Sequence, residues 1–420
     1  MADGRTQLHG MFPDHDGQDM DANASKRAAA LIMEEFAEGT GLAPAGGQPR
    51  RYLWTDAFAV CNYLSLHQGT GARQYLDLAR HLIDQVHFVL GRHRDDDARS
   101  GWISGLSDAE GLLHPTVGGL RIGKKMGERG EDDPYDERLE WERDGQYYHY
   151  LTKWMHALCR TATVTGEVRY LVWAAELARG AYRGFCHTAA DGGRRLRWKM
   201  SIDLSRPLVP SMGHHDPLDG LLTCCVIRAL AHRHPGTENI FLDAEIAELA
   251  EMCAGSNWAT TDPLGLGGLL ADAWRLAQIL SFPASVPLPD LLGTLLEASF
   301  FGLSLFAREN LLRMPATHRL AFRELGLAIG LRAVPRLERL LSAQRGLIRE
   351  SARLAVLLEE LKSYYPLAGQ ITRCWLREEN RAAGSWADHR DINMVMLATS
   401  LAPEGFLDLA TEAATPGAGE

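Results

Sequence analysis

One block of sequence recurs along this chain and limits what it can become. Gly71-Ala-Arg-Gln-Tyr-Leu-Asp-Leu-Ala-Arg-His-Leu returns as Gly166-Glu-Val-Arg-Tyr-Leu-Val-Trp-Ala-Ala-Glu-Leu. Gly236-Thr-Glu-Asn-Ile-Phe-Leu-Asp-Ala-Glu-Ile-Ala is a looser third copy. Each block follows an apolar stretch with helical spacing, Trp54–His67, Tyr147–Thr163 and Leu218–His234. Each unit therefore reads as helix, glycine turn, helix, with the glycine supplying the left-handed residue that stops the first helix. The glycines are 166 − 71 = 95 and 236 − 166 = 70 residues apart. The 25-residue excess matches a charged excursion: of the twenty-four residues Arg121 to Asp144, nine are acidic and six basic. Mixed signs at that density suggest a solvated insertion into one repeat.

Helical hairpins that repeat must bury one face against their neighbours. Beyond the first three, pairs are expected at roughly 264–304, 315–344 and 347–401. The first helix of each pair is the less charged, which suits an inner ring, and the second carries a polar face, which suits an outer ring. Six hairpins closed on themselves make an all-α (α/α)6 toroid. The expected organisation is a disordered tail over 1–23, one toroid over 24–402 with a charged loop insertion at about 95–145, and a flexible tail over 403–420. The insertion could serve as a lid, since long ordered loops are often functional.

The hairpin openings form a second repeat. Asp216-Pro-Leu-Asp-Gly-Leu-Leu returns as Asp262-Pro-Leu-Gly-Leu-Gly-Gly-Leu-Leu, with related openings at Trp54-Thr-Asp56, Arg143-Asp144-Gly and His389-Arg-Asp391. An Asp before an apolar helical run caps free N–H groups and complements the helix dipole. The segments Tyr52-Leu-Trp-Thr-Asp56-Ala-Phe, Thr70-Gly71 … Tyr75-Leu76 and Thr165-Gly166 … Tyr170-Leu171 resemble the six-hairpin toroids, a group that includes glycoside hydrolases, sugar epimerases and some polysaccharide lyases. The resemblance spans about residues 50 to 400 and lies at the level of architecture. It implies a carbohydrate substrate and a pocket where the inner helices begin.

Composition removes other classes. Lys plus Arg is 44 and Asp plus Glu 54, a net charge of −10, which argues against nucleic acid or an anionic membrane as partner. The most apolar region, Ser281 to Phe306, is interrupted by Asp290 and Glu297, against a spanning helix. Met1 to Asp21 has no apolar h-region, against a secretory signal. The seven cysteines, Cys61, Cys159, Cys186, Cys224, Cys225, Cys253 and Cys374, form no CxxC pair and read as reduced thiols of a cytoplasmic protein. No metal motif and no cofactor fingerprint appears. His214-His215-Asp216 lacks a third ligand at motif spacing, Gly118-Gly-Leu-Arg-Ile-Gly-Lys-Lys lacks phosphate-loop spacing, and Asp95-Asp96-Asp97 lies in a polar loop.

The chemistry is expected at the converging openings. Clustered carboxylates split their pKa values into a donor and a base, and glycoside cleavage needs such a pair. The candidates are Asp56, Glu142, Asp144, Asp216 and Asp391, with either Glu142 or Asp144 as one member of the pair. Sugar contacts are expected from Trp54, Trp141, Tyr147, Tyr148, His149, Trp198, His214, His215, Trp386, His389, Arg390 and Asn393, since aromatic faces stack on sugar C–H surfaces and polar groups read hydroxyls. The leading reading is a glycoside hydrolase. A sugar isomerase or epimerase, or a lyase, would instead use a His or Tyr base such as His149, His214 or His389. A non-catalytic helical scaffold for protein binding is the third reading, and oligomeric state is open.

Overall fold

The computed structural model describes residues 21–44, 49–209, 211–281, 290–343 and 351–409. The expected tails lie outside it for 1–20 and 410–420. Among the described residues, twelve helices make two concentric rings. The inner helices are α2 (Leu53–Thr70), α6 (Tyr148–Thr165), α8 (Asp216–Ala231), α10 (Pro263–Leu280), α12 (Ala321–Leu331) and α18 (Arg390–Leu401). Each packs on the next, and α18 packs back on α2, so the ring closes. The outer helices are α1 (Ala22–Gly39), α3 (Arg73–Leu90), α7 (Val168–Phe185), α9 (Asp243–Cys253), α11 (Leu291–Arg308) and α15 (Pro366–Leu376). The (α/α)6 toroid is the architecture observed.

Local chemistry explains the hairpins. Gly71 and Gly166 cap α2 and α6 with φ of 72° and 71°, a conformation that costs a residue with a Cβ about 1–2 kcal/mol. The inner helices are apolar on nearly all sides because they touch neighbours on nearly all sides: in α2, fourteen residues from Leu53 to Leu66 are buried. The outer helices bury one stripe, as α3 does with Tyr75, Ala79, Leu82, Ile83, Val86 and Leu90.

The pairing differs from expectation in the last third. The outer helix packed on α18 is α1, more than 350 residues away in sequence, and the outer helix packed on α12 is α15. Between them stands an extra pair, α13 (Val334–Ala343) and α14 (Ser351–Lys362). Pro335 has no amide to continue the α12 ladder, so the chain breaks there and restarts as α13. By length and composition α11 could cross a membrane; half of it is buried, and it packs on α10 and α14.

The insertion between α3 and α6 is folded yet largely solvated: of the fifteen charged residues from Arg121 to Asp144, only Glu140 and Asp144 are buried. It holds α4 (Asp108–Leu113), α5 (Glu137–Glu142) and β1 (Gln146–Tyr147). β2 (Cys186–Thr188) pairs with β3 (Arg194–Leu196), while β1, β4 (Lys199–Met200) and β5 (Pro207–Val209) form an antiparallel sheet in the order β1-β4-β5. A few of its charges turn inward: Glu140 is buried and bonded to the buried Lys199 at 3.0 Å, and Arg99 bridges Asp97, Glu128 and Asp203. The C-terminal boundary also shifts. Residues 403–409, expected in a flexible tail, fold as the short helix α19 (Glu404–Leu407) with Phe406 and Leu409 buried at the C-terminal ends of the inner helices. The remaining short helices are α16 (Glu378–Arg381) and α17 (Gly384–Ala387).

Candidate functional site

All six inner helices begin on one face, and their openings touch in sequence round the ring. The Tyr52 and Tyr150 hydroxyls bond at 2.8 Å, joining α2 to α6. His149 Nδ1 lies 3.8 Å from Asp216 Oδ1, joining α6 to α8. His215 Nε2 meets the Trp258 carbonyl at 3.2 Å just before α10. Arg323 pairs with Asp262, Phe322 meets His389 edge-on at 5.4 Å, and Arg50 reaches Asp391 at 3.5 Å, which completes the circle.

Below this rim a buried charge cluster spans three inner helices. Asp216 and Asp219 sit one turn apart on α8, hence on one face. Asp219 accepts from Thr152 Oγ1 and Lys153 Nζ at 2.5 Å each and from Arg275 Nη1 at 3.1 Å. Arg275 is also 3.5 Å from Asp272. A buried charge is costly unless paired, and the pairing is uneven. Burial opposes ionisation of Asp219, but Lys153 and Arg275 outweigh it and hold the carboxyl well below its usual range. Among the described residues Asp216 has no cation in contact; burial, then the Asp219 charge, pushes it up to about 7. Asp272 rises to about 6, mainly by burial. Asp216 Oδ2 is buried with no hydrogen-bond partner. The loop before α8 closes over it, since a Cβ on Gly213 would stand 2.3 Å from that oxygen. Burial also holds the His149 and His215 rings below their usual range, so both are neutral bases at pH 7.

An aromatic wall leads inward. Trp141, about half exposed on the insertion, stands edge-on to Trp198 at 4.8 Å; Trp198 meets Tyr147 at 5.0 Å, and Tyr147 meets Tyr150 at 5.1 Å. Tyr147 Oη is buried without a partner. Lys124, also on the insertion, lies over the Tyr52 ring at 5.5 Å. Trp54, Phe58 and Phe406 continue the column to the far side, where Phe406 stacks on Phe58 at 4.4 Å.

The expected residues separate. Asp216, His149, His215, Tyr147, Tyr148 and Trp198 gather beside the charge cluster, with Trp141 and exposed Glu142 at the outer lip. Tyr148 is buried against Phe185, its hydroxyl under Gly220, and exposed His214 binds the Asn257 carbonyl at 2.5 Å. Asp144 serves the insertion: it is fully buried and accepts from Arg121 at 2.9 Å, Arg94 at 3.4 Å and the amides of Gly123 and Gly145. Asp56 accepts the Tyr52 amide at 2.9 Å with Arg51 at 3.5 Å. Asp391 is a partly exposed member of a surface pair. Asn393 clamps two openings, accepting from Phe322 N and donating to Trp386 O, while Trp386 stacks on Trp375 at 5.9 Å and Arg390 points out to Glu35. Of these openings only Asp262 caps its helix through its side chain, at 2.8 Å to Gly265 N; the general capping expectation fails.

Reading only the openings missed Thr152, Lys153, Asp272, Arg275, Tyr52 and Tyr150. A signal was present. Asp272 and Arg275 are the only charged residues of α10 and stand three apart, a costly insertion into an apolar helix unless the charges are used.

Among the described residues, no three His, Cys, Asp or Glu side chains converge as a metal site. No protein-family model matches the chain, and no curated protein matches its sequence. Solved structures do resemble it. A GH76 α-mannanase from Bacteroides thetaiotaomicron aligns over 96% of this chain and 99% of its own at 9% identity, with a TM-score of 0.51. A D-mannose isomerase aligns over 93% and 99% at 12% identity with a TM-score of 0.48, and a GH76A α-1,6-mannanase from a Salegentibacter species over 92% and 99% at 11% with 0.46. At such identities the first of these speaks to fold alone, and the fold it shares with this chain is the (α/α)6 toroid.

Proposed function

We propose that this chain is a glycoside hydrolase that works at the open face of the ring, with Asp216 as proton donor and Asp219 as the ionised carboxylate. The observation that carries the reading is their unequal surroundings one helical turn apart: Asp216 is buried without a cation and pushed up to about 7, while Lys153 and Arg275 keep Asp219 charged. Two carboxyls whose surroundings drive their pKa values apart supply an acid and an anion at the same pH. Asp216 would protonate the glycosidic oxygen as the C–O bond breaks. The Asp219 charge would stabilise the positive charge growing at the anomeric carbon, and water would supply the new hydroxyl, its released proton restoring Asp216. The unpartnered Asp216 Oδ2 and Tyr147 Oη are polar atoms ready for hydroxyls. Trp141, Trp198 and Tyr147 offer faces for sugar C–H surfaces. Substrate entry requires the Gly213 loop to lift from Asp216. The fold shared with an α-mannanase supports testing α-linked mannosides first. A cytoplasmic location goes with the proposal, supported by seven cysteines none of which is paired.

A second reading, sugar isomerase or epimerase, is favoured by one feature. His149 and His215 are neutral bases, and His149 stands 3.8 Å from Asp216, whose carboxyl is pushed up to about 7, an arrangement suited to moving a proton at a carbon beside a carbonyl. Incubation with linkage-defined oligosaccharides and free hexoses, followed by NMR and mass analysis, separates the two. Hydrolysis releases a new reducing end, and its first anomer reports retention or inversion. Conserved mass with a new sugar favours the isomerase. Absence of any reaction across both sets would refute both readings.

A further inference from the structure

A cavity of about 360 Å³ opens on the outer wall of the ring, between α3, α7 and the α4 segment of the insertion. Phe88 and Val89 of α3, Trp173 of α7, and Trp102 and Leu112 of the insertion give it an apolar wall with three aromatic rings. The wall is fixed from behind. Trp173 Nε1 donates to the Leu113 carbonyl and Thr116 Oγ1 to the Trp173 carbonyl, both at 2.8 Å, which ties the insertion to α7. The Trp102 indole lies directly on Gly111, where any Cβ would clash with it. Arg92, paired with Asp108 at 3.2 Å, has its guanidinium 4.9 Å from the Phe88 ring and 5.4 Å from that of Trp102. Buried His87 accepts from Trp154 Nε1 at 3.0 Å, and burial pushes its ring down to about 3, so it adds no charge.

Two polar atoms of opposite kind stand orphaned in this apolar frame. Trp102 Nε1, a donor, and Gln85 Oε1, an acceptor, are buried without a hydrogen-bond partner among the described residues, and both side chains line the cavity. Trp102 is 3% exposed. Gln85 Nε2 is engaged with His81 at 2.9 Å, so exchanging the two amide atoms would still leave one of them open. Asp84 stands exposed at the rim. A buried polar group without a partner is costly, and an apolar occupant would leave both atoms in that state.

We propose that this cavity is a second, non-catalytic sugar-binding site. A sugar ring lays C–H surface on aromatic faces, and its hydroxyls both donate and accept, so one ligand covers the wall and serves both orphaned atoms. The volume lies within the range of about 300–1,000 Å³ typical of small-ligand sites, which suits a short saccharide or the end of a longer one. The choice of a sugar rests on the reading of this chain as carbohydrate-active. The cavity shares no residue with the open face, so binding here and reaction there can fail separately.

The indole ¹H–¹⁵N NMR signals of the full chain, carrying Asp216→Asn to suppress turnover, test this. The probes are methyl α-mannoside, methyl β-glucoside and, as an apolar control, toluene. The Trp102 signal is identified by its loss in Trp102→Phe. A saturable downfield shift of Trp102 Nε1–H is expected with at least one of the two glycosides, as a new hydrogen bond produces, and not with toluene. Phe88→Ala is expected to weaken that binding about fivefold, as loss of a stacking face does. Asp84→Asn is expected to weaken it about threefold, the modest effect of a solvent-exposed charge. Both positions are exposed, so neither change threatens the fold. The Trp198 signal reports the open face and is expected to respond to the glycosides equally with and without these two changes. A Trp102 signal that responds to neither glycoside, toluene binding in their place, or unchanged affinity in both Phe88→Ala and Asp84→Asn overturns the proposal. A response at Trp198 without one at Trp102 overturns it and leaves the hydrolase reading standing.

Discussion

The two faces of the ring treat buried polar groups in opposite ways. Where the inner helices end, polar groups are matched to the backbone of the closing segment. Arg160 donates to the carbonyls of Gly405 and Leu409, His156 meets that of Phe406 at 2.8 Å, and Gln278 bonds Leu407 O and Leu409 N. Where the inner helices begin, Asp216 Oδ2, Tyr147 Oη and Thr55 Oγ1 are buried without partners among the described residues, and two carboxyls one turn apart are pushed in opposite directions. Burying an unsatisfied polar group costs about 1–3 kcal/mol. A chain that completes its hydrogen bonds beneath the ring yet leaves them open above has used one face for stability and kept the other for a ligand.

That contrast can be broken by mutation. Asp216→Asn should cost about 10²–10⁴-fold in kcat, the usual worth of a general acid, with the melting temperature at pH 7 maintained or raised. A variant with wild-type turnover would end the assignment of Asp216. Arg160→Ala should do the reverse. It leaves two buried carbonyls unpaired and should destabilise by about 3 kcal/mol in denaturant melts, with kcat per folded molecule near wild type. If it instead abolishes turnover without loss of stability, the two faces are not separate in role. Trp141→Ala should raise KM about fivefold with little change in kcat, as expected for a stacking contact at the lip worth about 1 kcal/mol. An unchanged KM would place substrate elsewhere. The smallest effect concerns pH. Asp216 and Asp272 are raised in the folded state to about 7 and about 6, so their contribution to stability is full below about pH 4 and is lost as pH rises through 6 and 7. The wild-type melting temperature should therefore fall between pH 5 and 8 by more than that of Asp216→Asn. Parallel curves would contradict the raised value.

The hairpins were legible because their signals are local: a glycine that must be left-handed at 71 and 166, and an apolar helix before each. The pairing of α1 with α18 was not, because it joins opposite ends of the chain and no local pattern encodes it. The same holds within the site. Asp144 and Asp216 look alike in sequence, each an Asp before an apolar helix. Arg94 and Arg121, brought in by the insertion, neutralise the first, while the second is left beside Asp219. The insertion read as solvated, and most of its charges are exposed, but charge density alone does not reveal that Glu140 and Lys199 meet in the interior. Lys153, Asp272 and Arg275 were written in the sequence as charges inside apolar helices, a signal of the same strength as the openings themselves.

The central claim is that two aspartates one turn apart on α8 titrate far apart, so that at neutral pH Asp219 is ionised while Asp216 still keeps its proton in part of the molecules. Carboxyl-resolved infrared or ¹³C NMR titration of the wild type against Asp216→Asn and Asp219→Asn tests it directly. The account predicts one carboxyl titrating at about 7, absent in Asp216→Asn, and Asp219 ionised throughout the range above pH 4. An Asp216 that titrates near 4, as a solvated aspartate does, would contradict it.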